Sequence, residues 1–169
     1  DKWGGRKLSM TPKEMPMEYR FDNLNKKAIK VLNEILEETG AEVVVSSDWK
    51  RWCTVEEMGE YYESQGIVKK PIAFTPNLGE CNNYDGSFPW NRSWDLEQTR
   101  TLEIDQYLKR HPEVTEWVAI DDLDMGKTGM SHSVKWEHDW GLENFVLTPR
   151  GDEGLKQSGI KEKVLSFLK

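Results

Sequence analysis

The stretch that most constrains this chain is a short apolar run that ends abruptly in carboxylates. Trp117-Val-Ala-Ile is followed by Asp121, Asp122 and Asp124, and Gly126 closes the stretch. Apolar runs of this length are typical of buried strands. Carboxylates this close together repel one another unless a cation lies among them, and Mg²⁺ prefers such oxygen ligands. Because ligands of open parallel sheets bind beyond the carboxyl ends of strands, the stretch predicts half of a magnesium–phosphate site. The alternative is an acidic turn with solvated side chains.

The rest of the chain alternates helical and strand patterns. Apolar spacing predicts helices over 23–40, 54–65, 95–110 and 152–168, with Asn23 as the N-cap of the first and a capping box of Thr54 and Glu57 at the start of the second. Short apolar runs predict strands over 41–45, 117–120 and 145–148. Such alternation indicates βαβ units, a mainly parallel sheet and helices on both faces. We therefore expect an α/β fold of the three-layer, Rossmann-like type in a single domain.

Two segments do not fit the alternation. Residues 1–20 read as an irregular N-terminal segment, and residues 66–94 are rich in Pro, Gly and Asn. A connection as long as the second is usually functional or structured as a cap. We expect it to cross the carboxyl end of the sheet as a long loop or cap-like excursion.

Composition excludes several classes of protein. The chain of 169 residues is long enough to bury a core, and its formal charge of −7 argues against broad, nonspecific binding of nucleic acid. The 2 cysteines do not suggest a disulfide framework, so an intracellular location is expected. No run is apolar enough for a membrane span and no signal-peptide pattern opens the chain, although Asp1 leaves open an origin inside a longer product.

A second strand end carries polar residues of a different kind. Val43-Val-Val45 is followed by Ser46, Ser47 and Asp48. A hydroxyl and backbone N–H groups at a strand end can bind a phosphate oxygen, although such a sequence alone is more often a loop start or an N-cap. Arg100 is the best candidate for the cation that a phosphate site needs. Lys50 and Arg51 could also point at a phosphate, and for each basic residue a solvated surface position is the common alternative.

Taken in order, these stretches resemble the later motifs of the haloacid-dehalogenase (HAD) phosphohydrolase superfamily. The stretches are Val43–Trp49, Arg100–Leu108 and Val118–Asp122. The similarity is closest to the HAD domain of Swiss Army Knife RNA-repair proteins and more distant to the phosphatase half of polynucleotide kinase-phosphatases. It covers roughly residues 20–150, and the combination is more specific than any single piece.

The resemblance implies a Rossmannoid fold and Mg²⁺-dependent phosphoryl chemistry on a phosphomonoester, including nucleic-acid ends. Ser46, with Ser47 as the alternative, matches the motif II hydroxyl that binds the phosphoryl group. Arg100 matches the basic residue of motif III, which offsets the charge of phosphate and nucleophile. Asp121 and Asp122 match the motif IV acidic pair that holds Mg²⁺.

One part of the family pattern is missing. Motif I, a strand followed by Asp-x-Asp, supplies the nucleophile and the general acid/base, and no apolar strand precedes residue 20. The motif could lie upstream of Asp1 or on a partner chain, or the protein could be a non-catalytic relative that serves as a structural or interaction subunit. A permuted reading, with Asp122 as nucleophile and Asp124 as acid/base, is disfavoured because Asp121-Asp122 already fits motif IV.

The segment after the acidic strand end offers weaker candidates. His132 and His138 lie near Asp139, but their spacing does not match a zinc site. Trp136 and Trp140 could stack on a base, although burial against the sheet is the commoner fate of such side chains.

Overall fold

The structure is a computed structural model that describes residues 15–78, 96–126, 141–150 and 153–168. Within these ranges the elements are, in chain order, α1 (Met17–Arg20), α2 (Lys26–Thr39), β1 (Val44–Val45), a 3-10 helix (Asp48–Trp52), α3 (Val55–Ser64), β2 (Ala73–Phe74), α4 (Leu96–Arg110), β3 (Ala119–Asp121), β4 (Phe145–Leu147), a second 3-10 helix (Gly154–Lys156) and α5 (Ile160–Phe167).

The helix α2 begins and ends where local chemistry directs. Asn25 is the N-cap, and its side-chain oxygen accepts from the N–H groups of Lys27 and Ala28. The expected cap at Asn23 was therefore wrong by two positions. Gly40 ends the helix with φ 70°, a left-handed conformation that glycine adopts without a steric penalty, and this end was predicted correctly.

The capping box at the start of α3 is confirmed. The Thr54 hydroxyl accepts from the Glu57 N–H, and the Glu57 carboxylate accepts from the Thr54 N–H. The helix packs Met58 and Tyr61 against Val45, so the capping box also fixes the helix that covers β1.

The strands form two separate parallel pairs. β1 pairs with β2 in the register Val44 to Ala73, and β3 pairs with β4 in the register Ala119 to Phe145. β2 lies within the segment that was expected to be an irregular excursion over 66–94, so that expectation was wrong for its first part. Within residues 66–78, the strand consists of Ala73 and Phe74, a run too short to show strand periodicity. Residues 79–95 lie outside the described part.

Helices cover both faces of the β3–β4 pair. On one face Val118, Ile120 and Val146 pack with α2 and α5. On the other face Ala119 and Phe145 pack with Ile104 of α4. Alternate residues of β3 therefore meet different helices, as the period of two along a strand requires. The fold is α/β with parallel pairing; within the described ranges, however, the sheet is two pairs rather than one continuous layer.

Two terminal expectations need correction. The predicted helix over 152–168 is a 3-10 turn and the shorter α5, separated at Gly159, where φ is 88°. A left-handed residue cannot continue a right-handed helix, which explains the break. The segment expected to be irregular over 1–20 contains α1, and residues 1–14 lie outside the described part.

Candidate phosphate site

One guanidinium joins the carboxyl ends of two strands that belong to different pairs. Nη1 of Arg100 lies 2.9 Å from Oδ2 and 3.2 Å from Oδ1 of Asp121, the last residue of β3. Nη2 of the same side chain lies 3.1 Å from Oδ2 of Asp48, three residues beyond β1. Since one planar group reaches both carboxylates, the ends of β1 and β3 lie at the same rim of the molecule.

The helix α4 places Arg100 at this rim. Arg100 lies in its first turns, and Ile104, one turn further on, packs against the β3–β4 pair. Positions four apart share a helix face, so burial of Ile104 directs Arg100 toward the end of β3. The Arg100 side chain is only 10% exposed, whereas that of Asp48 is 43% exposed, so the cluster opens to solvent on the Asp48 side.

Asp121 is held by several donors and lies close to a second carboxyl group. Its Oδ1 accepts from the N–H of Leu123 at 3.0 Å as well as from Arg100. Burial raises the pKa of Asp121 above its ordinary value, and the adjacent Asp122 carboxyl raises it further, while the Leu123 N–H and Arg100 oppose the shift. The exposed Asp122 and the half-buried Asp121 thus crowd negative charge at the end of β3.

The two serines after β1 have different roles in the structure. The Ser47 hydroxyl caps the first 3-10 helix by accepting from the Trp49 N–H at 3.3 Å. The Ser46 hydroxyl instead accepts from the hydroxyl of Thr75 at 3.3 Å. Each serine oxygen accepts one hydrogen bond, so each hydroxyl keeps its own proton for donation, and Ser46 differs from Ser47 in its contact with Thr75.

The basic residues that follow the serines do not face the rim in the same way. Lys50 points into the protein and pairs with Glu103, with Nζ 2.5 Å from Oε2. Nε of Arg51 lies 3.8 Å from Oδ1 of Asp48, and both side chains are partly exposed. Arg100 is therefore the basic residue that joins both strand ends, and Lys50 does not take the phosphate-facing position considered for it.

Sequence reasoning missed two residues that belong to this neighbourhood, Thr75 and Glu103. Thr75 directly follows β2, a strand that the sequence pattern did not reveal. Glu103 lies between the buried Leu102 and Ile104 and is itself buried. A carboxylate among buried positions, three residues after the arginine of interest, is the signal that could have found it.

Several earlier candidates remain outside the described residues: His132, Trp136, His138, Asp139 and Trp140. Within the described ranges, no group of three or more His, Cys, Asp or Glu side chains could hold a metal ion. In the same ranges, none of the helices is long and apolar enough to cross a membrane.

A comparison with protein families identifies the class of domain to which this strand-end arrangement belongs. The family model described as the HAD domain in Swiss Army Knife RNA repair proteins matches residues 4–158. The match spans most of the chain, so the chain belongs to this family, and the resemblance seen in the sequence is confirmed. No curated protein and no solved structure matches the chain.

Proposed function

We propose that the protein is a Mg²⁺-dependent phosphohydrolase domain that acts on a phosphomonoester, with a phosphorylated nucleic-acid end as the substrate class. The observation that carries the proposal is the Arg100 guanidinium, which joins Asp121 at the end of β3 to Asp48, two residues after Ser46. The membership of a family of RNA-repair domains supports the substrate class.

In this proposal each side chain has a defined task. The Ser46 hydroxyl donates to a phosphoryl oxygen, because its oxygen accepts from Thr75 and its own proton remains for donation. Arg100 offsets the negative charge of the phosphoryl group and of the carboxylates around it, and it needs no proton transfer since it stays ionised. Ser47 maintains the turn that holds Ser46 in place.

The donors at the end of β3 fit Mg²⁺ in kind. Mg²⁺ is typically bound by one or two carboxylates together with substrate phosphate and water, so Asp121 and Asp122 suffice as protein ligands. Burial, and to a smaller extent the neighbouring Asp122 carboxyl, raise the pKa of Asp121, and a bound cation would stabilise its ionised form. When bound, Mg²⁺ would neutralise charge on the transferring phosphoryl group.

The proposed hydrolysis also requires a nucleophile. Within the described residues each strand has one hydrogen-bonded neighbour, so β1 and β3 each have a second edge without a partner strand there. A strand carrying Asp-x-Asp between β1 and β3 would join the two pairs and bring the nucleophilic carboxylate beside Ser46, Arg100 and Asp121. We propose that this strand comes from a segment upstream of Asp1 or from a partner chain.

A second candidate function is a non-catalytic HAD-like module within a larger assembly. The observation that favours it is the occupation of Asp121, whose two oxygens both accept from Arg100. In this alternative the ion pair is structural, and it holds the two strand pairs together without binding a metal ion or a phosphate.

Phosphate release by the full-length natural protein separates the two candidates. We expect Mg²⁺-dependent release from an aryl phosphate and from a phosphorylated oligonucleotide, and we expect Asp121→Asn to abolish both. Asp105→Asn is the matched control, because Asp105 forms an exposed helical pair with Lys109. A folded full-length protein that releases no phosphate, and whose Mg²⁺ binding is unchanged by Asp121→Asn, would establish the non-catalytic alternative.

A further inference from the structure

A chain of polar contacts runs from the protein interior to the Ser46 hydroxyl. Nζ of Lys50 lies 2.5 Å from Oε2 of Glu103, 2.8 Å from Oγ1 of Thr75 and 3.2 Å from the carbonyl oxygen of Pro76. The Thr75 hydroxyl in turn lies 3.3 Å from Oγ of Ser46. The interior part is sealed, since the side chains of Lys50 and Glu103 are 0% and 3% exposed.

The chemistry of the groups fixes the direction of these hydrogen bonds. An ammonium group has three donors and no acceptor, and Lys50 has three acceptors around it. The Thr75 oxygen therefore accepts from Lys50, which turns the single Thr75 proton toward Ser46. Ser46 then accepts from Thr75, and its own proton is directed elsewhere.

From this direction we infer that Thr75, oriented by the buried Lys50–Glu103 pair, is a positioning residue that sets the Ser46 hydroxyl as a donor to a phosphoryl oxygen. The inference rests on the proposed function, and it deepens that proposal by adding a residue no family motif or sequence pattern indicated. The donor strength of Ser46 is raised, because each hydrogen bond in a chain that starts at a cation polarises the next.

The length of the last contact sets the expected size of the effect. A separation of 3.3 Å is long for a hydroxyl–hydroxyl bond, so the Thr75–Ser46 contact is weak. Such contacts at reactive sites often tighten when the ligand binds. We therefore expect a contribution to phosphate binding of the size of one neutral hydrogen bond.

The test compares threonine variants of the full-length protein. Thr75→Val keeps the shape and removes the donor, so we expect it to raise the dissociation constant of inorganic phosphate about fivefold. KM for an aryl phosphate should rise by a similar factor, with a smaller change in kcat. Thr75→Ser, which retains the hydroxyl, should restore binding.

Thr101→Val is the matched control. Thr101 is also buried, but its hydroxyl donates at 2.7 Å to the carbonyl of Glu97 within α4. If Thr75 were merely structural, Thr75→Val would behave like Thr101→Val: thermal stability would fall and phosphate binding would stay unchanged. The inference requires weaker phosphate binding in Thr75→Val, not in Thr101→Val, and its recovery in Thr75→Ser.

The possible results separate this inference from the proposed function. If the wild-type protein releases phosphate and Thr75→Val binds phosphate normally, the positioning role is overturned and the phosphohydrolase function stands. If the wild-type protein binds inorganic phosphate but does not hydrolyse the aryl phosphate, the hydrolytic function fails. The inference is then decided by the ratio of the phosphate dissociation constants of Thr75→Val and Thr101→Val. A wild-type protein that neither binds inorganic phosphate nor hydrolyses the aryl phosphate overturns both the positioning role of Thr75 and the phosphohydrolase function.

Discussion

The helix α4 carries two charged centres that differ in almost every physical respect. In the inner centre, Glu103 pairs with Lys50, and both side chains are almost fully buried. In the outer centre, Arg100 pairs with Asp121 and with the partly exposed Asp48. The α4 residues of the two centres, Arg100 and Glu103, are only three positions apart, yet Glu103 faces the interior and Arg100 faces the rim.

The charged groups of the inner centre have protein partners, whereas we propose that the outer centre binds a ligand. The three donors of Lys50 all have protein acceptors, and Glu103 also accepts from the Leu78 N–H at 2.9 Å. At the rim, by contrast, Asp122 is exposed and the Ser46 proton is directed away from Thr75. We infer that the inner centre supports the geometry and that the outer centre supplies the chemistry.

The largest expected effect is on stability, in the inner centre. Glu103→Gln leaves Lys50 as an uncompensated buried cation, and we expect the free energy of unfolding to fall by about 3 to 5 kcal/mol. Asp48→Asn, in the outer centre, should cost less than about 1 kcal/mol because water screens exposed pairs. Urea unfolding of both variants tests this, and equal losses would remove the distinction between the centres.

A double variant sharpens the same comparison. Replacement of both charges, in Lys50→Met with Glu103→Leu, removes the unpaired ion, so much of the stability lost in Glu103→Gln should return. Phosphate binding should stay weak in this variant, because Thr75 loses the donor that orients it. Recovery of stability together with full phosphate affinity would contradict the separation proposed above.

The next effect concerns binding at the outer centre. Arg100→Lys keeps the charge but cannot reach Asp121 and Asp48 at once with a planar fork, so the dissociation constant of phosphate should rise about tenfold. Arg51→Lys is the control, since the contact of Arg51 with Asp48 is long, at 3.8 Å. Calorimetric titration with phosphate measures both, and equal affinity of Arg100→Lys and wild type would argue for simple point-charge attraction.

A smaller effect is expected in the pH dependence of stability. Burial lowers the pKa of Lys50 below its ordinary value of 10.5, although Glu103 opposes the shift. Between the lowered pKa and 10.5, the unfolded chain binds more protons than the folded chain, so Lys50 makes stability rise with pH, by at most about 1.4 kcal/mol per unit. The double variant should lack this contribution, which urea titrations at a series of alkaline pH values would reveal. An identical pH dependence of stability in the wild type and the double variant would show that burial does not shift the pKa of Lys50.

The smallest effect distinguishes the two serines. Ser47→Ala removes the cap of the first 3-10 helix and should cost about 0.5 to 1 kcal/mol of stability while phosphate affinity is kept. Ser46→Ala should do the reverse, with weaker phosphate binding and little change in unfolding. Parallel thermal unfolding and phosphate titration compare them, and the opposite pattern would assign the binding role to Ser47.

Much of the fold could be predicted from the sequence because its signals are local. The capping box of Thr54 and Glu57, the helix end at Gly40 and the strand before Asp121 all follow from short-range chemistry. The short pairing of Ala73 and Phe74 could not be predicted, since it depends on β1 rather than on its own pattern. The break at Gly159 was also missed, because the surrounding residues keep helical spacing.

The candidate site was predictable in its residue types and less so in its contacts. Serines and aspartates after apolar runs mark strand ends, and the Arg100 contacts place two of those ends at one rim. Metal binding by Asp121 and Asp122 stays a prediction. The inward direction of Lys50 could not be foreseen, because Glu103 lies 53 positions away along the chain and only tertiary packing brings the two together.

The position of α4 also bears on local unfolding of the protein. Strands of two or three residues hold few hydrogen bonds of their own, so neither parallel pair is a stable unit alone. Glu103 of α4 contacts Lys50 in the 3-10 helix after β1, and Ile104 packs against the β3–β4 pair. Arg100 reaches Asp48 in the same 3-10 helix and Asp121 at the end of β3. Any fluctuation that detaches this helix would disperse the site and expose the interior in a single event. The amide protons of α4 should therefore exchange with solvent together, as one cooperative unit.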